Sequence, residues 1–571
     1  MRGRSRSRSP PARLSRFGPT IFPLPLSPQR LSRFSQPLAV PTSPATLTVT
    51  FSRCVSIDQL LAFASIYTHD LNAIHEAAIC TAAGKLARET ASARSAAASL
   101  WEEYAIRWLQ RPPGDLGRGA RQVVNILNAA AWINVISNNE LIWLLIMIAI
   151  RLSNEMNVQE SANVLWAIAS LAKTEEFYSE NTTITDRYTI LLPLLKTAAN
   201  YSEQFTSQHA AVLIWASARL GFSKTMQEVI TLFFAAIRLA PCFTAEEISM
   251  VCWAIGRLQF ATPDSIPLFI TASSLASSKN LSIQNISQVL WGLGRIPYII
   301  ADLKPLQPLL KAIAEVSTLK FYSPHTISLV LSSLVALNID IGDNDINLLL
   351  KTATEMMSHT PSSLVSVLYS ASILSPSSGL ILRPLVIQAT NLPLSSRNAI
   401  TLLWSSLILE FDLKDLRKVL LDRICSEEIT QVDASMLRQV NFFTPCLHLL
   451  GALQLRGKCV PSHTQFRVLQ CFTRLGLNPL LEFQLECGLS VDVLITFRGQ
   501  KVICEVDGPS HYLTPLSRSE LPRINGKTHL RNKILGQQFP YITIAYYLWD
   551  SLSSFEEEEL FLLAQLADLR L

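Results

Sequence analysis

One short pattern recurs along this chain and limits its fold more than any other feature. It reads apolar, apolar, Trp, small, apolar, small. It appears as VLWAIAS around Trp166, LIWASAR around Trp215, VCWAIGR around Trp253 and VLWGLGR around Trp291. Degenerate copies centre on Asn128, Ser332, Tyr369 and Trp404, with a further weak copy at His448. From Asn128 to Trp404 the anchors are 35 to 49 residues apart, most of them near 38. Self-similarity at such a period marks a stacked repeat array, in which each unit buries its apolar face on its neighbours.

Nine residues before seven anchors stands a residue of helix N-cap type: Asn157, Thr206, Thr244, Ser282, Ser323, Thr360 and Ser395. Such side chains accept from the first unpaired N–H groups of a helix. Glu160 and Glu247 follow their caps by three residues and complete capping boxes. Pro324 and Pro361 fall at the first helical position, where a missing N–H costs nothing. Each repeat is therefore predicted to open a helix at its cap and bury its Trp two and a half turns later. A second apolar stretch of helical spacing follows, such as EVITLFFAAIRL, LQPLLKAIAEV or INLLLKTATEM. The predicted fold is mainly α: a solenoid of helix pairs, with small residues beside each Trp for close approach. Arg219, Arg257 and Arg295 each follow their Trp by four residues. Stacking would align them in a column. Such a column could track phosphates; equally, its members could be snorkelling arginines of the array itself.

The chain's 571 residues exceed what one core usually holds. With 49% apolar and 16% charged residues it is neither disordered nor fibrous. Its mean hydropathy of +0.27 raises the question of a membrane. The most apolar run, Leu141 to Ile150, is only ten residues long and reads as a buried helix. The ten cysteines form no CxxC pair, which argues against a structural zinc site and a disulfide scaffold. The first acidic residue is Asp58, and residues 1–57 carry nine Arg and no Lys. Subtracting those nine from the net +5 leaves −4 for residues 58–571. Any contact with nucleic acid must come from a local patch.

Residues 1–56 are rich in Arg, Ser and Pro, the composition of an organellar presequence. The rival is a nuclear Arg-Ser tract in RSRSRSP. The expected organisation is a leader over 1–56, a repeat array over 57–460, a C-terminal domain over 461–552 and a terminal helix over 553–571.

In the C-terminal part the texture changes. A helix-like SHTQFRVLQCFTRLGL precedes the alternating SVDVLITF and then VICEVDGPSHY. Next come NGKTHLRNKILGQQF, helical in spacing, and YITIAYYLWD. This is a small α/β module. If Gly499-Gln500 forms its hairpin turn, Asp492 lies opposite Asp507 and Leu494 opposite Glu505. Strand alternation then places Asp492, Glu505 and Asp507 on one face, and three carboxylates of that kind suit Mg²⁺.

The array resembles the octotricopeptide-like and FAST-kinase-like helical repeats of organellar RNA-binding proteins. Asp492, Glu505-Val-Asp507-Gly508-Pro509, His511, Gly526-Lys-Thr528, Arg531, Leu535 and Tyr546-Tyr547-Leu-Trp549 resemble the RAP domain. That domain ends helical-repeat proteins of mitochondria and chloroplasts and abounds in apicomplexan parasites and algae. The resemblance implies a restriction-endonuclease-like α/β fold and a role in organellar RNA processing, stability or ribosomal RNA metabolism. Together with the presequence-like leader it implies localisation in the mitochondrial matrix, with ribosomal RNA and mitochondrial ribosomal proteins or assembly factors as partners, while the short apolar runs imply no membrane insertion. The same string resembles nucleases with a D…ExK signature, and their Vsr-like branch with EVDGxxH. Here, however, Asp507 replaces the signature Lys. Two readings stay open for the module. One is RNA binding without a cofactor, through His511, Lys527, Arg531 and Lys533. The other is a metal-dependent endoribonuclease using Asp492, Glu505 and Asp507 with Mg²⁺. A protein-binding scaffold is a third class. No GxGxxG or GxxxxGKS loop supports a nucleotide enzyme.

Overall fold

A computed structural model describes residues 44–569 except 89, 113, 116, 136–137, 173–183, 279, 297–303, 317–322, 357–359, 412–413, 425–428, 444–445, 447–460, 486–488 and 517–519. The leader up to residue 43 and the weak copy at His448 lie outside the described residues. The chain divides into two compact units, residues 1–143 and 144–571. The second unit holds the repeats from Val158 onward together with the C-terminal module.

In the first unit the helices Pro44–Arg53, Ile57–Ile66, Ala73–Leu86, Ala91–Gln110 and Ala120–Ile133 follow one another. Ser56, Asn72 and Thr90 cap three of them through side-chain oxygens. Trp101 and Trp108 are fully buried, and Trp101 Nε1 donates to the Ile126 carbonyl at 2.9 Å. The buried Glu76 pairs with Arg111 at 2.8 Å. The helix Pro44–Arg53 lies inside the expected leader. Leu47 and Phe51 of the first helix are buried, and that helix packs on Ala73–Leu86. An apolar stripe on residues 44–53 thus finds a partner within the segment expected to be leader.

The run Leu141–Ile150 lies in a 13-residue helix, Asn139–Arg151. No helix among the described residues is long and apolar enough to cross a membrane.

In the second unit the first helices of the repeats stand side by side in chain order. They are Val158–Leu171, Ser207–Leu220, Ala245–Leu258, Ile283–Gly294, Pro324–Leu337, Pro361–Leu374, Ser396–Ile408 and Gln431–Asn441. All seven expected caps accept from the backbone N–H three residues on. Glu160 and Glu247 close their capping boxes, and Pro324 and Pro361 occupy the first helical position. Thr430, which the pattern did not reveal, caps the last of these helices in the same way. The second helices are Ile184–Asn200, Gln227–Arg238, Ile266–Ser277, Gln307–Val316, Asp343–Glu355, Gly379–Thr390 and Lys414–Leu421, and each packs on the first helix of its own repeat.

The Trp253 and Trp291 helices approach each other through glycines. A Cβ on Gly256 would stand 2.5 Å from Gly292 Cα, and a Cβ on Gly292 would stand 2.1 Å from the Cys252 carbonyl oxygen. Their backbones touch, so the two indoles stack at 5.6 Å with 22° between planes. The Trp residues nevertheless do not fill the core as expected. Trp166, Trp215, Trp253 and Trp291 are half-buried, whereas Trp404 is buried. Their flanking aliphatics, such as Leu165, Ile168, Ile214, Ile255, Leu290 and Leu293, are buried in their place. Helical phase gave each Trp its side of the helix, but not how far the neighbouring repeat would cover it.

A two-residue strand, β1 (Ile339–Asp340), follows the helix Pro324–Leu337. The C-terminal module runs as helix His463–Arg474, β2 (Leu480–Gln484), β3 (Ser490–Phe497), β4 (Gln500–Asp507), β5 (Tyr512–Pro515), β6 (Arg523–Ile524), helix Gly526–Gly536, β7 (Tyr541–Ala545) and helix Phe555–Ala567. Its main sheet has the order β2-β3-β4-β7, antiparallel except for the parallel pair β4 and β7. Val493, Ile495, Val502, Cys504 and Val506 present one face to Val468, Phe472, Trp549, Leu562 and Leu566. The terminal helix shares this core, so the module extends beyond the expected end at residue 552. β5 pairs antiparallel with β6 and parallel with β1, which joins module and array through a second small sheet.

Candidate nucleic-acid interface

The arginine column forms at the C-terminal ends of the first helices. Arg219 Nε donates to the Ala169 carbonyl at 2.7 Å, and Arg257 Nε to the Ala218 carbonyl at 3.0 Å. Each acceptor lies in the last turn of the preceding repeat's first helix, where the helix dipole favours a cation. The guanidinium carbons of Arg219, Arg257 and Arg295 lie 5.4, 5.8 and 4.9 Å from the ring centres of Trp215, Trp253 and Trp291. Arg219 is half-buried, while Arg257 and Arg295 are exposed. Burial lowers the Arg219 pKa, and the Arg257 charge lowers it further. The structure thus brings these three residues into one column, as their spacing predicted.

In the C-terminal module the hairpin turn is Arg498-Gly499, not Gly499-Gln500. Both residues have positive φ, 48° and 78°. The register pairs Phe497 with Gln500 and Leu494 with Ile503. That shifts the expected pairing by two residues and preserves the strand face, because side chains alternate with period two. Asp492, Glu505 and Asp507 do share a face, but each has a partner of its own. Asp492 Oδ2 accepts from the Val506 N–H at 2.7 Å. Glu505, 1% exposed, takes Arg531 Nε at 2.8 Å and Nη2 at 3.0 Å. Asp507, also 1% exposed, has Oδ1 2.8 Å from His511 Nδ1, and its Oδ2 has no hydrogen-bond partner.

Burial raises the pKa of Asp492 and of Glu505, and Arg531 opposes both shifts. The Asp507 carboxylate 2.8 Å away raises that of His511. Among the described residues, no group of three or more His, Cys, Asp or Glu is placed to hold a metal ion. Each Glu505 oxygen accepts from Arg531, so a Mg²⁺ ion of the nuclease reading would have to share Glu505 with that guanidinium.

Residues 504–565 match the family model of the RAP domain. The chain carries a C-terminal RAP domain. No curated protein matches the chain. The RAP domain and the helical array together point to RNA binding.

The RAP domain docks on the array through residues that sequence inspection missed. Arg523 Nε and Nη2 reach Asp340 at 2.9 and 3.1 Å, and Nη2 also donates to the Leu374 carbonyl at 2.7 Å. The Thr514 N–H donates to the Asn338 carbonyl at 2.6 Å. A Cβ on Gly526 would stand 1.8 Å from the Ser372 carbonyl oxygen, so only glycine lets this helix start so close. Partners 183 residues apart, such as Arg523 and Asp340, leave no local signal.

The other expected contact residues are distributed unevenly. Lys527 is exposed, with its ammonium 5.9 Å from the Tyr369 ring centre. Lys533 pairs with Glu410 at 2.7 Å. Arg531 donates from Nε and Nη2 to Glu505, and from Nη2 to the Ser490 carbonyl as well.

Proposed function

We propose that this protein binds organellar RNA in the mitochondrial matrix, with ribosomal RNA as the leading target. On this reading it serves ribosomal RNA processing, stability or mitoribosome assembly, alongside mitochondrial ribosomal proteins or assembly factors. The observation that carries the reading is a RAP domain docked at the end of a helical array whose exposed edge bears a column of arginines. The Arg-rich, acid-free start of the chain supports import. The test incubates the purified protein with mitochondrial ribosomal RNA transcripts, with Mg²⁺ or with EDTA. Retention of intact RNA under both conditions is the expected result. Metal-dependent cleavage that disappears in both Asp492→Asn and Asp507→Asn would establish the endoribonuclease alternative instead.

A further inference from the structure

We propose that the C-terminal edge of the first-helix row is a phosphate track for single-stranded RNA, held by Arg257 and Arg295 and continued by Lys527 of the RAP domain. The inference rests on the RNA-binding reading and assigns its path and mode.

The geometry distinguishes these arginines from the chain's structural ones. Arg111 pairs with Glu76, Arg238 with Glu203, and Arg467 and Arg474 with Glu558. Among the described residues, no carboxylate lies within ion-pair distance of Arg219, Arg257 or Arg295. Capping a helix end requires one N–H, and Arg257 uses Nε for it. Its two terminal nitrogens remain on an exposed side chain, held in place by the ring beneath. A guanidinium anchored this way loses little freedom when it meets a phosphate. Like charges in adjacent repeats, with no neutralising acid among the described residues, favour a polyanion as their counterpart.

Two further cations mark the same edge. Lys224 Nζ donates to the Gln259 carbonyl, just past the Trp253 helix, at 2.9 Å. In the later repeats the fourth residue after the anchor is Ala336, Ile373 or Ile408 rather than Arg. There the RAP domain supplies the donors to the helix ends, through Thr514 to Asn338 and Arg523 to Leu374. Lys527 stands exposed beside Tyr369, on the same row two repeats beyond Arg295.

The mode follows from the rings. Each indole in the column already lies against a guanidinium, and Trp253 and Trp291 also stack on each other. Bases are therefore not offered these faces for stacking. Contact is to the backbone and independent of base identity.

The test measures fluorescence anisotropy of labelled oligouridylate and oligoadenylate across a salt series, with the full chain. Arg257→Gln with Arg295→Gln removes two exposed contacts and leaves the half-buried Arg219 in place. At about 0.7 per single-strand phosphate, the slope of log affinity against log salt should become shallower by about 1.4. At about 0.1 M salt that corresponds to a loss of roughly 25-fold, equal on both RNAs. Lys527→Gln, on a separate element, should remove about one further contact. Arg257→Lys with Arg295→Lys should retain most of the slope. If the parent binds and both Gln variants keep its slope, the track is wrong and RNA binds elsewhere. Loss confined to one RNA overturns the backbone mode. A parent that binds neither RNA overturns the RNA-binding reading and the track with it. An early thermal melt in the arginine variant, with an unchanged slope in Lys527→Gln, makes the column structural and ends the proposal.

Discussion

Gly292→Ala should be the most damaging single methyl group that can be added to the array. The new Cβ would stand 2.1 Å from the Cys252 carbonyl oxygen and 2.7 Å from its carbon. Those atoms belong to the backbone of a fully hydrogen-bonded helix and cannot rotate away. The Trp253 and Trp291 helices must separate, which unstacks the indoles and opens the aliphatic layer beneath. Overpacking of this kind reaches the upper part of its usual range, about 3 kcal/mol. The control is Gly294→Ala, two residues on, where the nearest atom is the Ala336 side-chain methyl at 3.2 Å. There a few tenths of an ångström suffice, and alanine's better helix propensity offsets part of the cost. Urea midpoints of the two variants should differ widely, with the near-ultraviolet signal of the stacked indoles lost only in Gly292→Ala. Equal midpoints would contradict the close approach of the backbones.

Arg531→Ala should destabilise the RAP domain by about 3–5 kcal/mol, the usual cost of stranding one partner of a buried ion pair. Glu505 would keep a buried carboxylate with nothing opposite it. The pH dependence has a definite sign. Burial already holds the Glu505 pKa above the ordinary carboxylate value, and losing Arg531 pushes it further up. A folded-state pKa above the unfolded value adds stability below the unfolded pKa of about 4.3, and that stability is lost as pH rises through the folded value. The penalty of the variant should therefore be larger at neutral pH than in mild acid. Adding Glu505→Gln should recover much of the loss at neutral pH and remove its pH dependence. A variant that is equally stable at both pH values, yet binds RNA more weakly, would return Arg531 to the interface.

The features legible in the sequence were those fixed by short-range chemistry. Seven caps, two capping boxes and two N-terminal prolines could be read because a helix start is decided within four residues. Asp492, Glu505 and Asp507 were placed on one face correctly because alternation survives a register shift of two. The turn itself was misplaced because Arg498, at φ 48°, occupies a conformation its side chain does not advertise. The half-exposure of Trp166, Trp215, Trp253 and Trp291 depends on how repeats pack across the row, and a single helix's pattern does not contain that. The docking of the RAP domain rests on Asp340, Leu374 and Asn338, none of which carries a motif. Arg531 illustrates the same limit. That it pairs with a carboxylate of the facing strand could be read from the sequence, but that the carboxylate is Glu505 depends on how the helix packs on the sheet.

The most direct test of the account is ultraviolet crosslinking of the protein in purified mitochondria, followed by sequencing of the RNA recovered with it. The account predicts that the protein is present in the matrix and that ribosomal RNA dominates the crosslinked reads. It also predicts that those reads fall sharply when Arg257 and Arg295 are both changed to Gln. Recovery of the protein from mitochondria with no RNA above background would contradict it.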